Sequence, residues 1–335
     1  MANLNIIGNG FDLYHGLPTS YYHFACYMLS TNEELYDELA EMYSFSKGEM
    51  HHSTGKLERK IDDLGYWSEF EKNLGNLWVE GLLIDDLDLE CPDAVDLYIG
   101  RPDYSDTIKE ILKKWITSTI DTKKNFEIIK KVIGKKKVDF SSEDVFISFN
   151  YTHTLEEVYD ISNVLHIHGE ANSIVHKNDL IIGHGNNKIL DDLRDRIGRL
   201  DGKDYDQPSR NRKIEYQFVK EVLKNLHKPV EICMEQLSSF INKIEEPDYI
   251  CVYGFSLGDV DLLYMQLIKE KFPTCKWRFS YYSKCDIAKI KKFASSLKID
   301  NTQYELFAFK NLDSCRIETE LIKKNKIVIF PKMKK

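Results

Sequence analysis

Residues 4–12 read LNIIGNGFD, an apolar run that ends in a Gly-x-Gly turn just before a helix is predicted to begin. Gly8 and Gly10 let backbone N–H groups approach a phosphate or a ribose, and the N-terminus of the helix beyond them favours negative charge. A short strand that leads into such a turn predicts an α/β nucleotide-binding fold. The complete dinucleotide fingerprint also requires a small residue at position 13, where this chain has Leu13. The stretch therefore argues against a conventional hydride-transfer Rossmann enzyme.

The rest of the chain repeats the pattern of short apolar runs bounded by Gly, Asn, Asp or Ser. Amphipathic stretches separate most of these runs, and this alternation predicts a Rossmann-like α/β domain with a mostly parallel sheet and large helical insertions. The predicted strands are Leu4–Ile7, Val145–Phe149, Val164–Ile167, Leu180–Ile182, Tyr249–Tyr253, Trp277–Tyr281 and Tyr304–Phe309.

Two long segments interrupt this alternation. The first shows helical periodicity over Tyr22–Tyr43, Tyr66–Leu83 and Ile108–Ile133, and it is far too long for an ordinary βα connection. The second is dominated by Lys, Arg, Asp and Glu. We therefore predict a discontinuous nucleotide-binding core of residues 1–21 and 141–335, a helical insertion at 22–140 and a second, charged helical insertion at 187–245.

Composition narrows the class of protein. The 335 residues carry 46 Lys and Arg against 54 Asp and Glu, so the net charge of −8 disfavours generic nucleic-acid binding. The seven cysteines form no CxxC pair, which predicts buried thiols in a reducing cytoplasm. No basic and apolar leader opens the sequence, and no run of about 18 apolar residues occurs. The sequence predicts a cytoplasmic protein without a membrane partner.

Polar residues follow several of the predicted strands. Asn150 follows the second strand, and Thr154 with Glu157 predicts a capping box for the next helix. Alternation along the third strand would put His166 and His168 on one face, where an imidazole can act as a general base near pH 7. Ligands of open α/β sheets bind at the carboxyl ends of the strands, so these positions are candidate site residues.

Two further loops have the same character. The segment 182–186 places His184 between two glycines after a predicted strand. The segment 252–261 contains Gly254, which permits close backbone approach, Ser256, which can bond a phosphate or ribose oxygen, and Asp259, which can cap a helix or accept a ribose hydroxyl. Together with the earlier loops they predict one nucleotide crevice at one edge of the sheet.

Five blocks carry a family resemblance. These blocks are, in order, IIGNGFDLYHGLPTSY, FISFNYTHTLEEVY, VLHIHGE, LIIGHGN and GFSLGDVD. Together they resemble the bacterial abortive-infection protein AbiH family. More remotely, the same blocks are similar to the NAD-binding loops of sirtuin-like domains. That similarity implies a ligand of the size of NAD and chemistry at its nicotinamide–ribose bond. The sequence departs from the sirtuin-like pattern at Asp12 and around Phe149. The chain also has no CxxC pair, so it lacks the zinc site of protein-deacetylating sirtuins.

The resemblance implies roles for individual residues. Asn150 would position a water at the ribose carbon, and His168 would take a proton. Asp12, at which the sequence departs from the sirtuin-like pattern, would stabilise positive charge that develops on the ribose if it lies near that sugar. NAD is then the substrate or ligand, and no metal is expected. The residues implied in nucleotide binding are Gly8, Asn9, Gly10, Phe11, Gly16, Pro18, Gly169, His184, Gly254, Ser256 and Asp259.

Two other functions remain open from the sequence. A metal-dependent nuclease or phosphohydrolase would use Asp12, His166, His168, His184 and Asp259. A nucleotide-binding sensor without catalysis would use the helical insertions to hold a phage or host protein. Whichever of these functions holds, the expected partners are a nucleotide ligand, a phage-encoded or host trigger and a second copy of the chain in a homo-oligomer.

Overall fold

The computed structural model describes residues 2–43, 69–76, 104–171, 180–185, 192, 195, 210–258 and 261–309. The chain divides into two compact units. The first unit comprises Met1–Ser20, Lys113–Ile181 and Pro229–Thr319, and the second comprises Tyr21–Leu112, Ile182–Lys228 and Glu320–Lys335. This division assigns residues 113–140 to the same unit as the strands. The predicted bounds of the core and its insertions remain a prediction.

A six-stranded parallel sheet forms the first unit, with strand order β3-β2-β1-β4-β5-β6. This order confirms the predicted Rossmann-like α/β fold. Because the order reverses between β1 and β4, the carboxyl ends of these two strands mark the place where such sheets bind ligands. The strands are β1 (Leu4–Ile7), β2 (Val145–Ser148), β3 (Val164–His166), β4 (Tyr249–Tyr253), β5 (Lys276–Tyr281) and β6 (Tyr304–Ala308).

The core of the first unit surrounds the central strands. Leu4 of β1 pairs with Val145 on one side and Ile250 on the other, and all four residues of β1 are buried. Burial on both faces explains why the strands are near-continuous apolar runs. Each large apolar side chain that is fully buried contributes about 1.5–3 kcal/mol. Side chains of the sheet and of its covering helices share one cluster, which includes Ile6, Ile147, Val252, Trp277, Phe279, Leu237, Tyr264 and Ile268.

One predicted strand is wrong. Residues 180–182 have no regular secondary structure, and the backbone N–H of Ile181 donates to the carbonyl of His168 at 2.9 Å. Because His168 lies beyond the end of β3, this bond does not extend the ladder of the sheet. The observed β2, β3 and β6 each end one residue before the predicted end.

Helices cover the sheet and build much of the second unit. The predicted helix over Tyr22–Tyr43 is broken at Asn32, whose side-chain oxygen accepts a hydrogen bond from the N–H of Leu35 at 3.1 Å. Most of the prediction at Tyr66–Leu83 lies outside the described residues. The α-helices are Asn9–Tyr14, Tyr21–Thr31, Glu33–Met42, Phe70–Asn73, Tyr104–Trp115, Lys123–Ile133, Thr154–Tyr159, Arg210–Asn225, Val230–Ile241, Leu262–Lys271 and Lys284–Ser296.

The predicted helix Ile108–Ile133 is interrupted in the middle. A π-helix over Ile116–Ile120 follows the first part, and Thr122 caps the second part by accepting a hydrogen bond from the N–H of Asn125 at 3.2 Å. Asp121 occupies the break between them. A 3₁₀ turn, Gly134–Lys136, follows the second part.

The described helices include none that is long and apolar enough to cross a membrane. The thiols of Cys26, Cys233, Cys251 and Cys275 are free and buried, as predicted. Cys285 is exposed, which contradicts the prediction, because it lies on the solvent side of the helix Lys284–Ser296. Cys91 and Cys315 lie outside the described residues.

Candidate functional site

The loops after β1 and β4 meet backbone to backbone. The N–H of Gly8 donates to the carbonyl of Tyr253 at 2.9 Å, and the N–H of Gly10 donates to the carbonyl of Gly254 at 2.7 Å. A Cβ atom on Gly10 would lie 2.6 Å from the Cα of Gly254. The glycines are therefore needed for this close contact, and the two N–H groups predicted to approach a phosphate already bond the protein.

The segment Gly16–Pro18 folds back on the first turn, as its nearness in sequence suggests. The side-chain amide of Asn9 donates to the carbonyl of Thr19 at 3.0 Å, and Gly16 adopts a φ of 80°. Phe11 points into the protein and is fully buried. Its ring contacts those of His15, Phe140, Tyr159, Tyr253 and Phe309.

Asp12 is the centre of a buried polar cluster. Its side chain is 1% exposed, and it accepts hydrogen bonds from the hydroxyls of Thr152 at 2.5 Å and Thr154 at 2.6 Å. The side-chain amide of Asn150 donates to the same carboxylate at 3.2 Å and to the carbonyl of Gly8 at 3.1 Å. The loop after β2 thus supplies three donors to one carboxylate on the helix after β1.

Burial raises the pKa of Asp12 to about 7. The hydroxyls of Thr152 and Thr154 lower this pKa, whereas the negative charges of Asp121 and Glu156 raise it. A carboxyl group with a pKa near neutrality can gain or lose a proton under cellular conditions, and such groups are common in active sites.

The predicted capping box of Thr154 and Glu157 is wrong. His153 is the N-cap of the helix Thr154–Tyr159, and no side chain caps it. The hydroxyl of Thr154 instead bonds Asp12, because a hydrogen bond to a charged acceptor is about twice as strong as one between neutral groups.

His166 supports the position of Asn150. Its Nδ1 lies 3.0 Å from the backbone carbonyl of Asn150, and its Nε2 lies 2.8 Å from a carboxylate oxygen of Glu156. Burial is the largest single effect on the pKa of His166, and it lowers that pKa. The acceptors around the ring together outweigh burial, so the pKa of His166 is raised. The imidazole therefore connects β3 to both the loop after β2 and the following helix.

His153 lies between two acids. Its Nδ1 is 2.7 Å from Asp121, and its Nε2 is 2.8 Å from Glu170. Its ring centroid is 5.8 Å from that of His166. Burial lowers the pKa of His153, but the hydrogen bonds and negative charges of its acidic neighbours outweigh burial and raise the pKa to about 9.

His168 does not share these neighbours. It is 3% exposed, and its ring packs against Phe149 at 5.3 Å and Tyr264 at 5.9 Å between centroids. The strand alternation that predicted a common face for His166 and His168 fails because β3 ends at His166 and a turn follows. Gly169, with a φ of 79°, belongs to this turn.

Three further residues predicted for the site are His184, Ser256 and Asp259. His184 belongs to the second unit, where it is buried and its Nε2 is 3.0 Å from the carbonyl of Leu223. Ser256 is exposed on the loop after β4, and Asp259 lies outside the described residues. Among the residues that the structure describes, no group of three or more His, Cys, Asp or Glu side chains is arranged to hold a metal ion.

The sequence analysis missed five residues of the site, namely Thr152, His153, Asp121, Glu156 and Glu170. One signal was available, because polar side chains at every second position of 150–154 indicate a loop segment with one polar face. No comparable signal connected Asp121 or Glu170 to this loop.

Comparison with known families gives one match. The family model described as bacteriophage abortive infection AbiH matches residues 4–281, a range that contains β1 to β5 and the whole cluster around Asp12. Comparisons with curated proteins and with solved structures find no match.

Proposed function

Because the chain belongs to the bacteriophage abortive infection AbiH family, we propose that it protects cells from phage by hydrolysing the nicotinamide–ribose bond of NAD or a related nucleotide. The observation that supports this proposal is the buried pair of Asn150 and Asp12. The pair lies just after β2 and β1, two adjacent central strands of a parallel sheet. Ligands of such sheets bind at the carboxyl ends of the strands where the strand order reverses, and β1 borders that reversal.

Asn150 is suited to positioning a water molecule. Its amide nitrogen faces two acceptors, the carbonyl of Gly8 and the carboxylate of Asp12, so the orientation of the amide group is fixed. Within the described part of the chain, no donor bonds its Oδ1. This oxygen can accept a hydrogen bond from a water, whose own oxygen then bonds C1′ of the ribose.

The reaction needs one bond to break and one to form. The C1′–N bond breaks and its electron pair leaves with nicotinamide, the water oxygen bonds C1′, and the water loses a proton. We assign the proton to His168, whose ring is held between Phe149 and Tyr264. Asp12 would stabilise the positive charge on the ribose electrostatically in this buried setting.

The loops around the cluster would hold the rest of the nucleotide. Ser256 is exposed on the loop after β4, so its hydroxyl is available to a phosphate or ribose oxygen. The residue that follows Gly16–Pro18 is bonded to the first turn, because the side-chain amide of Asn9 donates to the carbonyl of Thr19. NAD is the substrate in this proposal, and none of the steps assigned here involves a metal or a further cofactor.

The test measures NAD in infected cells, because infection supplies whatever trigger the protein requires. Cells that carry the wild-type protein, Asn150→Ala or Asn242→Ala are infected, and NAD and nicotinamide are quantified over time by mass spectrometry. Asn242 is exposed at the end of the helix Val230–Ile241 and serves as the matched control. We expect NAD loss and phage resistance with the wild type and Asn242→Ala, and neither with Asn150→Ala.

Two results would contradict the proposal. Phage resistance with unchanged NAD would show that another activity protects the cell. Resistance that survives Asn150→Ala would show that the buried pair is not catalytic. Measurable NAD binding by the purified protein, together with unchanged NAD in infected cells, would favour the nucleotide sensor.

A further inference from the structure

We propose that His153 is a positioning residue whose positive charge holds the loop after β2 against Asp12, an inference that rests on the function proposed above. The loop residues Asn150, Thr152 and Thr154 all bond Asp12. His153 lies among them but faces other partners. His153 is bonded to two acids, which fixes its own position. Because the donors lie within three residues of it in the chain, its position also determines where they lie.

Between two ionised acids, the geometry requires an imidazolium. Ionised Asp121 and Glu170 can only accept hydrogen bonds, and they lie 2.7 Å and 2.8 Å from the two ring nitrogens of His153. A neutral imidazole has one N–H and could donate to one of them only. The backbone N–H of His153 donates to Asp121 as well, at 3.0 Å. Three hydrogen bonds therefore fix this residue from two sides.

Asp121 makes the charge of His153 necessary. The side chain of Asp121 is 2% exposed, and its Oδ1 has no hydrogen-bond partner within the described residues. Burial accordingly raises the pKa of Asp121. A buried carboxylate that loses its cationic partner is strongly unfavourable. Loss of the proton from His153 would thus weaken the contact that joins the loop to the end of the π-helix Ile116–Ile120.

Acidic groups predominate around His153. Asp121 faces it from the end of the π-helix, Glu170 from the segment after β3, and Glu156 from the following helix. His166 lies beside it on β3, and the charge of Asp121 also acts on Asp12 on the helix after β1. These acids hold the pKa of His153 at about 9, so the contact is intact at neutral pH.

The first experiment titrates the histidine rings of the full-length protein by NMR, with His153→Gln to assign the signal. We expect His153 to titrate near pH 9, and Asp121→Asn to lower its pKa by about 1–3. Glu170→Gln should lower it less, because Glu170 is partly exposed. The control is Glu127→Gln, on the exposed face of the neighbouring helix Lys123–Ile133, which should change nothing. A pKa of His153 near 6.5, or one insensitive to Asp121→Asn, would overturn the inference.

The second experiment measures phage resistance, which assumes no substrate, and then nicotinamide release, which rests on the proposed function. We expect His153→Gln to reduce phage resistance about 100-fold, as small displacements of reacting groups do. Nicotinamide release by the wild type should fall above about pH 9, where His153 loses its proton. In Asp121→Asn this fall should occur at a lower pH, a shift that a purely structural role would not produce. If His153→Gln does not fold, Glu170→Gln provides the same comparison at a partly exposed position.

The outcomes separate this inference from the proposed function. Wild-type resistance without NAD loss, combined with weak resistance of a folded His153→Gln, contradicts NAD hydrolysis but supports the role of His153. A folded His153→Gln protein that protects cells as well as the wild type contradicts the role of His153, whatever the substrate.

Discussion

The side-chain amide of Asn150 donates a hydrogen bond of 3.2 Å to the carboxylate of Asp12, and the two residues are 138 positions apart in the chain. The contact depends on the parallel pairing of β1 with β2, which sets Ile7 beside Ser148. Residues 145–148 lead directly to Asn150, and residues 4–7 lead to the turn before Asp12. The sheet therefore determines the geometry of the candidate site.

The buried carboxyl group predicts how stability depends on pH. The pKa of Asp12 is about 7 in the folded protein against an ordinary 3.8, so the folded state holds the proton more tightly than the unfolded state. The contribution of Asp12 to the free energy of unfolding is full below pH 3.8 and falls as the pH rises towards 7, by up to about 4 kcal/mol. Asp12→Asn removes this dependence, so its stability relative to the wild type should improve from pH 5 to pH 8.

Urea unfolding at several pH values measures this effect. Asp139→Asn, at an exposed position, is the control and should follow the wild-type curve. Parallel pH dependences of Asp12→Asn and the wild type would mean that Asp12 does not titrate in this range.

The hydroxyl of Thr154 is predicted to tune the pKa of Asp12. Thr154→Val keeps the shape of the side chain but removes the donor at 2.6 Å, so the pKa of Asp12 should rise above 7 and the protein should lose roughly 1–3 kcal/mol of stability. Thr154→Ser retains the hydroxyl and should behave like the wild type. Carbonyl ¹³C shifts of the Asp12 side chain report the pKa. An unchanged value in Thr154→Val would contradict the hydrogen bond.

Close contact between the loops after β1 and β4 makes Gly254 sensitive to substitution. Gly254 has a φ of 58°, and an added Cβ would lie 2.3 Å from the carbonyl carbon of Gly10. Gly134 is a matched control, because its φ is 44° but nothing lies within 4 Å of its added Cβ. Gly134→Ala should cost about 1–3 kcal/mol from backbone strain alone, since its φ of 44° and ψ of −125° are unfavourable for a residue with a Cβ. Gly254→Ala should cost more and also weaken phage resistance, as thermal unfolding and plaque counts would show. Equal losses of stability would mean that the loops can separate freely.

Chelation is predicted to leave nicotinamide release unchanged. In the described cluster these acids and imidazoles already have hydrogen-bond partners: Asp12 accepts three hydrogen bonds, and both ring nitrogens of His153 and of His166 lie against acceptors. These side chains would have to break such bonds to bind a metal. Nicotinamide release before and after EDTA treatment tests this. Activity that is lost with EDTA and regained with Mg²⁺ or Mn²⁺ would favour the metal-dependent hydrolase.

Local sequence was sufficient to locate most strands and the principal loops. The runs at Leu4–Ile7 and Tyr249–Tyr253 are strands with the predicted bounds, because burial on both faces favours apolar side chains, with buried Asn5 as the polar exception in the first run. The glycines that follow them occur at the predicted turns. The segment at 180–182 was misassigned because an apolar run does not show whether a neighbouring strand is present to pair with it.

Tertiary structure alone decided which polar groups meet. The sequence predicts Thr154 as a helix cap, because capping depends on residues only three positions away. In the structure the hydroxyl of Thr154 donates to Asp12, which is 142 residues away in the chain. His184 follows the same local pattern as His168 and yet belongs to the other unit. The sequence by itself determined the elements and the turns that end them, because these depend on neighbouring residues. The partners of Asp12 and His153 were decided only by the order and register of the strands, because hydrogen bonds and charges act through distance in space.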